Sequence, residues 1–115
     1  MTVTIYHNPR CSKSRQTLAL LEERGIAPRI VQYLETPPDA TTLGSLLDAL
    51  GLEPRDLMRK KEEPYKALGL SDPGKSRDAL IAAMVAHPIL IERPIVTNGA
   101  RAALGRPPED VLAIL

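Results

Sequence analysis

The fold is decided near the start of the chain, where residues 2–15 read TVTIYHNPRCSKSR. Threonine, valine, isoleucine and tyrosine predict a β-strand over residues 2–6, and His7-Asn8-Pro9 ends it. A loop over residues 7–11 and a helix over residues 13–24 follow, and Gly25 marks the end of that helix. Residues 29–34 predict a second strand. A β-loop-α-β order in one sheet implies that the two strands are parallel.

The middle of the chain has a helical pattern. Four leucines in residues 43–50 are spaced i, i+3, i+4 and i+7, which predicts an amphipathic helix that Gly51 ends. Further helices are predicted over residues 54–60 and 77–86, and strand signals are absent between residues 36 and 88. We interpret residues 39–88 as a helical lobe inserted into the domain, because about 50 residues alone would bury too little surface.

The last part of the chain predicts two strands and a helix. Residues 95–97 and 101–104 flank Asn98-Gly99, a pair typical of a hairpin turn. Pro107-Pro108 can begin a final helix. The apolar face of that helix is expected to contain Val111, Leu112 and Leu115. The element order therefore predicts a single α/β domain over residues 1–115, with a thioredoxin-like sheet and an inserted helical lobe.

Composition excludes several classes of partner. The 115 residues include 15 Lys and Arg against 14 Asp and Glu, so the net charge of +1 lacks the basic excess of proteins that bind nucleic acid. Three tyrosines without Trp or Phe leave few platforms for stacking bases. The longest apolar run, Ala79–Ala86, is far shorter than the roughly 20 residues of a membrane-spanning helix. We expect neither nucleic acid nor a membrane as partner.

The N-terminal residues and the single cysteine set further expectations. The first residues lack the basic and apolar segments of a signal peptide, which predicts a cytoplasmic protein. Cys11 is the one cysteine, so it excludes an internal disulfide and a cysteine-rich zinc site. Two distant histidines without a paired carboxylate motif predict no metal site. We expect a monomer without a bound cofactor.

Cys11 is the first candidate for chemistry. It lies between the first strand and the first helix, so its sulfur is expected to face the helix N-terminus, where N–H groups and the dipole stabilise a thiolate. The Ser14 Oγ is placed to donate to that thiolate, and His7 could contribute. The basic neighbours that add positive potential are Arg10, Lys13 and Arg15. These features predict a pKa below the usual value of about 8.5, against the alternative of a buried structural thiol.

The same helix start predicts an anion site. Backbone N–H groups of residues 12–15, including those of Ser12 and Lys13, converge where the thiolate is expected, so an oxyanion could bind there and be attacked by sulfur. Ser14 stands where Cys-x-x-Cys enzymes have their resolving cysteine, and a hydroxyl cannot close a disulfide. A monothiol mechanism that uses glutathione or a partner's thiol remains.

Three arginines are candidate ligands for such an anion. Arg59 begins a basic run in the helical lobe, and the run can equally be a solvated face. Arg93 precedes Pro94, the natural place for a cis bond beside the nucleophile in a thioredoxin-like sheet, whereas Arg106 follows the hairpin and can equally be a surface charge. If the three converge on Cys11, they form a clamp for a tetrahedral oxyanion, because guanidinium groups stay charged and offer paired donors.

Several spaced motifs together resemble one family. They are His7–Arg15, Tyr33–Pro38, Leu57–Lys60, His87–Val96 and Gly105–Pro107. In this order, and over essentially the whole chain, they are similar to the glutaredoxin-coupled arsenate reductase family, a group with a thioredoxin-like fold and a helical lobe.

The resemblance implies an activity and roles for individual residues. It implies arsenate or a similar oxyanion as substrate, glutathione as co-substrate, glutaredoxin as partner and a part in arsenical resistance. Cys11 would be the nucleophile, His7 would help to lower its pKa, and Ser14 would be the serine of the active loop. The arginines that would bind the substrate are Arg59, Arg93 and Arg106.

Two further functions stay open beside this one. Well-studied family members tend to have Gly-Thr where this chain has Ser12-Lys13, which leaves room for a monothiol glutathione-dependent oxidoreductase that acts on another substrate. A redox-sensing regulatory binding module is the other alternative. A sister group of such regulators generally keeps a Cys-x-x-Cys switch, and Ser14 argues against that group.

Overall fold

A computed structural model describes residues 2–115 of the protein. The chain forms two compact units: the first runs up to Thr36 and resumes with Arg93–Leu115, and the second is Pro37–Glu92. The second unit includes residues 39–88, the stretch predicted as an inserted lobe. That this lobe belongs to a single domain stays a prediction.

The first unit contains a four-stranded mixed sheet with strand order β2-β1-β3-β4. Its strands are β1 (Val3–Tyr6), β2 (Arg29–Val31), β3 (Ile95–Asn98) and β4 (Arg101–Leu104). The predicted parallel pairing of β1 with β2 is confirmed, with Ile5 opposite Ile30. β1 also pairs antiparallel with β3, and β3 with β4. Ile5 is therefore on a central strand and is fully buried.

β2 is shorter than the predicted strand over residues 29–34. A turn begins after Val31, in which the N–H groups of Glu35 and Thr36 donate to the Gln32 carbonyl at 3.0 and 2.9 Å. Tyr33 is only 1% exposed inside this turn. Residues 33 and 34 were wrongly assigned to the strand: Tyr33 is buried in the turn as it would be in a strand, whereas Leu34 is 41% exposed.

α1 spans Ser12–Glu23, within one residue of the prediction at each end. Its buried face is formed by Ser14, Thr17 and Leu21, at i, i+3 and i+7. Gly25 ends the helix with a φ of +74°, a conformation that glycine adopts without strain. The buried residues of the core that α1 joins are Ile5, Leu21, Val96, Val111 and Ile114.

The final helix is a 3₁₀-helix over Pro108–Ile114, and it packs against α1 and β4. Three residues per turn place Pro108, Val111 and Ile114 on one face, and all three are buried. The predicted apolar face was partly wrong, because it assumed the α-helical period. Leu115, which that period brings under Val111, is 39% exposed.

The hairpin between β3 and β4 turns one residue later than predicted. Asn98 pairs with Arg101, so the two turn residues are Gly99 and Ala100. Gly99 has a φ of +63° and no other residue type has a positive φ within residues 2–115, which is the pattern of a type II′ turn. The Asn98 side chain donates to the Ile114 carbonyl at 2.7 Å and so ties the hairpin to the C-terminal 3₁₀-helix.

The second unit is helical. Its α-helices are α2 (Ala40–Leu50), α3 (Glu63–Ala67) and α4 (Arg77–Ala86), and its 3₁₀-helices are Pro54–Leu57 and Pro88–Leu90. Asp39 caps the start of α2, because its carboxylate accepts from the Thr42 N–H at 2.8 Å, and Gly51 caps its end as predicted. The bounds predicted for α4 are confirmed. α3 was not predicted, because five residues are too few to show a period.

The helix predicted over residues 54–60 was wrong beyond Leu57. Met58 forms an antiparallel bridge with Ile91, and the Glu92 N–H donates to the Leu57 carbonyl at 2.7 Å. Arg59 therefore follows an extended residue rather than a helical turn. Within residues 2–115, no helix is both long enough and apolar enough to cross a membrane.

Candidate functional site

The loop between β1 and α1 is held by hydrogen bonds from three main-chain N–H groups. The His7 N–H donates to the Val31 carbonyl at 2.8 Å and so continues the pairing of β1 with β2. The Cys11 N–H donates to the Asn8 carbonyl at 3.0 Å, and the Arg10 N–H donates to the Asn8 side-chain oxygen at 3.0 Å. These bonds close a tight turn that places Cys11 at the N-cap of α1.

Cys11 is partly exposed and its thiol is held in an electropositive environment. Partial burial raises the pKa of the thiol. The backbone N–H of Ser14, the hydrogen bond and charge of the Arg93 guanidinium, and the backbone N–H of Lys13 together outweigh burial, so the pKa is lowered. No acidic residue lies in the first turn of α1 to oppose this. The pKa therefore shifts in the predicted direction, which favours a thiolate and an adjacent oxyanion.

The positive charge at the thiol comes from Arg93, whereas the sequence pointed to Arg10, Lys13 and Arg15. The Arg15 guanidinium donates to the Pro9 carbonyl at 2.9 Å, and its charge acts on His7. Lys13 contributes through its backbone N–H. The Nε and Nη1 atoms of Arg93 are buried, and a guanidinium withdrawn from water interacts more strongly with a neighbouring anion.

Ser14 and His7 form a buried pair beside the cysteine. The Ser14 side chain is fully buried, and its Oγ accepts from the Asn8 N–H at 3.0 Å and lies 2.6 Å from His7 Nδ1. The prediction that the Ser14 hydroxyl donates to the thiolate was therefore wrong, because the hydroxyl bonds to His7 and the Asn8 N–H. The backbone N–H of Ser14 donates to the thiolate instead. Burial, and then the charge of Arg15, lower the pKa of His7, so a neutral imidazole holds the hydroxyl near neutral pH.

The three predicted arginines have different surroundings. Arg106 Nη1 donates to the Arg93 carbonyl at 2.9 Å, so these two arginines are neighbours, and each precedes a proline in a cis peptide. Arg59 belongs to the second unit, where its guanidinium approaches Glu62 at 3.4 Å and Glu92 at 3.9 Å. That all three arginines converge on Cys11 stays a prediction.

Sequence reasoning missed the roles of Asn8 and Gly105. Asn8 is only 5% exposed and supplies three of the hydrogen bonds that shape the loop. A Cβ on Gly105 would lie 2.7 Å from Pro94 Cγ and would overlap the Thr17 side chain. Asparagine before proline and glycine after a strand were visible signals, but both are also common in ordinary turns.

No group of three or more side chains suited to a metal ion occurs within residues 2–115. The Cys11 thiol lies among main-chain N–H groups and the Arg93 guanidinium, which donate to it and lower its pKa. Together with the sheet, this defines a thioredoxin-like α/β protein with a single thiol at the start of α1, and the predicted fold class is confirmed by the solved structures below.

The chain belongs to the ArsC family, whose model matches residues 6–114. It is 59% identical over 114 residues to YfgD of Escherichia coli (strain K12), named as an uncharacterized protein, with 98% of this chain and 96% of that one covered. It is 53% identical to an arsenate reductase of Neisseria meningitidis serogroup A, with 98% and 97% covered. The solved structure of an arsenate reductase from Vibrio cholerae is 60% identical, covers 100% of this chain and 98% of its own, and gives a TM-score of 0.97.

Proposed function

We propose that the protein is an arsenate reductase that works in the cytoplasm with glutathione and glutaredoxin, as a monomer and without a bound cofactor. The observation that carries the proposal is the thiol of Cys11, whose pKa is lowered despite its partial burial by two backbone N–H groups and by Arg93. A thiolate and an oxyanion are stabilised by the same donors. Relatives named as arsenate reductases support the choice of substrate.

The first step is attack of the Cys11 thiolate on arsenic. A sulfur–arsenic bond forms and one arsenic–oxygen bond breaks, and the departing oxygen takes up protons and leaves as water. Glutathione then joins the adduct, and glutaredoxin reduces the mixed species and releases arsenite. Over the cycle two thiols are oxidised to a disulfide, arsenic gains the two electrons, and arsenate loses one oxygen.

We assign the anion-binding groups as follows. The backbone N–H groups of Ser12 and Lys13 are to bind the oxyanion, so the Lys13 N–H, which donates to the thiol in the free protein, is shared with the substrate. The guanidinium of Arg93 neutralises the charge of the thiolate and of the bound anion. The Arg106 guanidinium holds Arg93 in place by donating to the Arg93 carbonyl. Arg59 is the third arginine of the proposed clamp.

The external reductant follows from the cysteine content. Cys11 is the single cysteine, and the Ser14 hydroxyl is engaged with His7 and Asn8. Both thiols that complete the cycle must therefore come from other molecules. Glutathione, the abundant thiol of a reducing cytoplasm, is the first of them, and glutaredoxin supplies the second.

A second candidate is a monothiol glutathione-dependent oxidoreductase that acts on another substrate. It is favoured by the donors around Cys11, because N–H groups and a guanidinium would hold any tetrahedral oxyanion equally well. A redox-sensing binding module remains the alternative from another class. It would retain its partner when Cys11 is replaced by serine, whereas either enzyme would lose turnover.

The test is NADPH consumption by purified protein with glutathione, glutaredoxin and glutathione reductase, with and without arsenate. We expect arsenate-dependent turnover that Cys11→Ser abolishes, and a raised KM for arsenate in Arg93→Ala. Arg24→Ala, an exposed change beyond α1, is the matched control and should behave as the unmodified protein. An unmodified protein that alkylates readily at Cys11 but does not turn over arsenate would contradict the proposal and favour the second candidate.

A further inference from the structure

A cavity of about 160 Å³ lies in the first unit, beside the loop that carries Cys11. It is lined by residues 7–10 of that loop and by Gln32, Leu34 and Glu35, which follow β2. β1 and β2 are parallel neighbours, so both wall segments leave the sheet at the same edge. The cavity thus shares its edge of the sheet with the thiol.

Both walls of the cavity are held by hydrogen bonds from main-chain N–H groups. The Gln32 carbonyl accepts from the N–H groups of Glu35 and Thr36, and Tyr33 anchors the turn in the interior. On the other side, Asn8 holds the Arg10 N–H at 3.0 Å. The backbone of both walls is therefore fixed before any ligand arrives, which reduces the entropy lost on binding.

The cavity presents one positive and one negative side chain. Arg10 and Glu35 are both exposed, and in the part of the chain that the structure describes neither forms an ion pair with another residue. Leu34 is 41% exposed and supplies an apolar wall. A ligand with an ammonium, a carboxylate and a short chain of methylene groups would match all three.

We propose that this cavity binds the γ-glutamyl end of glutathione, with Glu35 facing its ammonium group, Arg10 facing its α-carboxylate and Leu34 covering its methylene groups. The inference rests on the proposed function, because it locates the co-substrate of that reaction. The other end of glutathione has a carboxylate without an ammonium group, and it would leave Glu35 without a partner. At about 160 Å³ the cavity is smaller than the roughly 300–1,000 Å³ of most ligand sites, so it suits one end of the tripeptide rather than the whole.

The length of glutathione allows its thiol to reach Cys11 from this cavity. Arg10 and Cys11 are consecutive, so their Cα atoms are about 3.8 Å apart. An extended tripeptide spans roughly 10 Å. Binding at one end therefore leaves the central cysteine of glutathione free to approach the Cys11 sulfur.

The test measures thiolation of Cys11 by oxidised glutathione without arsenate. The Cys11 thiolate attacks one sulfur, a new disulfide forms, and the other half of the reagent leaves as a thiolate. Mass spectrometry gives the rate, and the disulfide of cysteinylglycine, which lacks the γ-glutamyl group, gives the reference rate. The ratio of the two rates removes any effect of a variant on the reactivity of Cys11 itself.

We expect Glu35→Gln and Arg10→Gln each to lower this ratio by up to about fivefold, the range of an exposed ion pair, and the double variant by about the product of the two single losses. The reference rate should stay within about twofold, which also shows that the loop is folded. Glu22→Gln and Arg24→Gln, exposed changes on or beyond α1, are the matched controls and should keep the ratio of the unmodified protein.

Two outcomes would overturn the site: a ratio that no variant changes, or equal losses with both reagents. Neither bears on the reduction of arsenate, because the assay contains none. A lowered ratio in a protein that fails to turn over arsenate would keep the site and remove only the arsenate reductase proposal.

Discussion

Replacement of Ser14 by alanine should destabilise the protein although it removes a single oxygen atom. The side chain is fully buried, and its Oγ is shared by His7 Nδ1 at 2.6 Å and the Asn8 N–H at 3.0 Å. Each buried group left without a partner costs about 1–3 kcal/mol. For the two groups, His7 Nδ1 and the Asn8 N–H, these costs add to about 2–6 kcal/mol. We expect the free energy of unfolding to fall by about 2–4 kcal/mol, the lower part of that range, because water can occupy some of the space that the hydroxyl leaves.

Urea unfolding at pH 7, followed by far-ultraviolet circular dichroism, measures this loss as a shift in midpoint at constant slope. Ser12→Ala is the matched control, because Ser12 begins the same helix and is exposed. It should change the free energy of unfolding by no more than about 0.5 kcal/mol. Equal stability of the two variants would refute the reasoning that the Ser14 hydroxyl holds the loop.

Three further predictions concern the thiol, His7 and Gly105. The rate of Cys11 alkylation should rise with pH through an apparent pKa below about 8.5. Arg93→Met should move that midpoint to higher pH, because the thiolate loses a hydrogen bond and a neighbouring positive charge. An unmoved midpoint would contradict the role of Arg93. Burial lowers the pKa of His7, so the stability that neutral His7 contributes is complete above pH of about 6.5 and is lost as pH falls through the folded-state pKa. Between pH 8 and pH 5 the free energy of unfolding, measured with urea, should fall less in His7→Gln than in the unmodified protein. An equal fall in both proteins would contradict the stabilising role of neutral His7. Gly105→Ala places a Cβ 2.7 Å from Pro94 Cγ and should cost about 1–3 kcal/mol in thermal unfolding, whereas an unchanged midpoint would show that the contact relaxes freely.

Local signals predicted those elements whose ends carry a specific residue. α4 begins where the Ser76 Oγ accepts from the Ala79 N–H at 3.1 Å, and it ends before His87-Pro88, so its bounds could be predicted. The C-terminal 3₁₀-helix was harder. Over seven residues, periods of 3.0 and 3.6 both bring Val111 to the core, and only the next position distinguishes them.

Pairing between distant segments was beyond local signals. The bridge of Met58 with Ile91 joins two short segments, neither of which alternates apolar and polar residues long enough to predict a strand. The same limit applies at the site. The position of Cys11 on the loop was predictable from its neighbours, whereas the charge of Arg93 reaches the thiol only because β3 pairs with β1.

The direction of the Ser14 side chain was also unpredictable, because it depends on which rotamer the packing of α1 allows. A serine three residues after a cysteine predicts a donor to sulfur, and the hydroxyl instead joins His7 and the Asn8 N–H in the interior. Sequence spacing fixed the backbone N–H that stabilises the thiolate, and tertiary packing fixed the side chain.

The engagement of Ser14 makes single-thiol chemistry a consequence of how this loop is built. A cysteine at position 14 would add a second sulfur to the first turn of α1, but sulfur is larger than oxygen and a weaker hydrogen-bond acceptor. It would release His7 and the Asn8 N–H from their shared partner in the interior. A change from one thiol to two at this loop would therefore need new partners for His7 and the Asn8 N–H as well as a second sulfur.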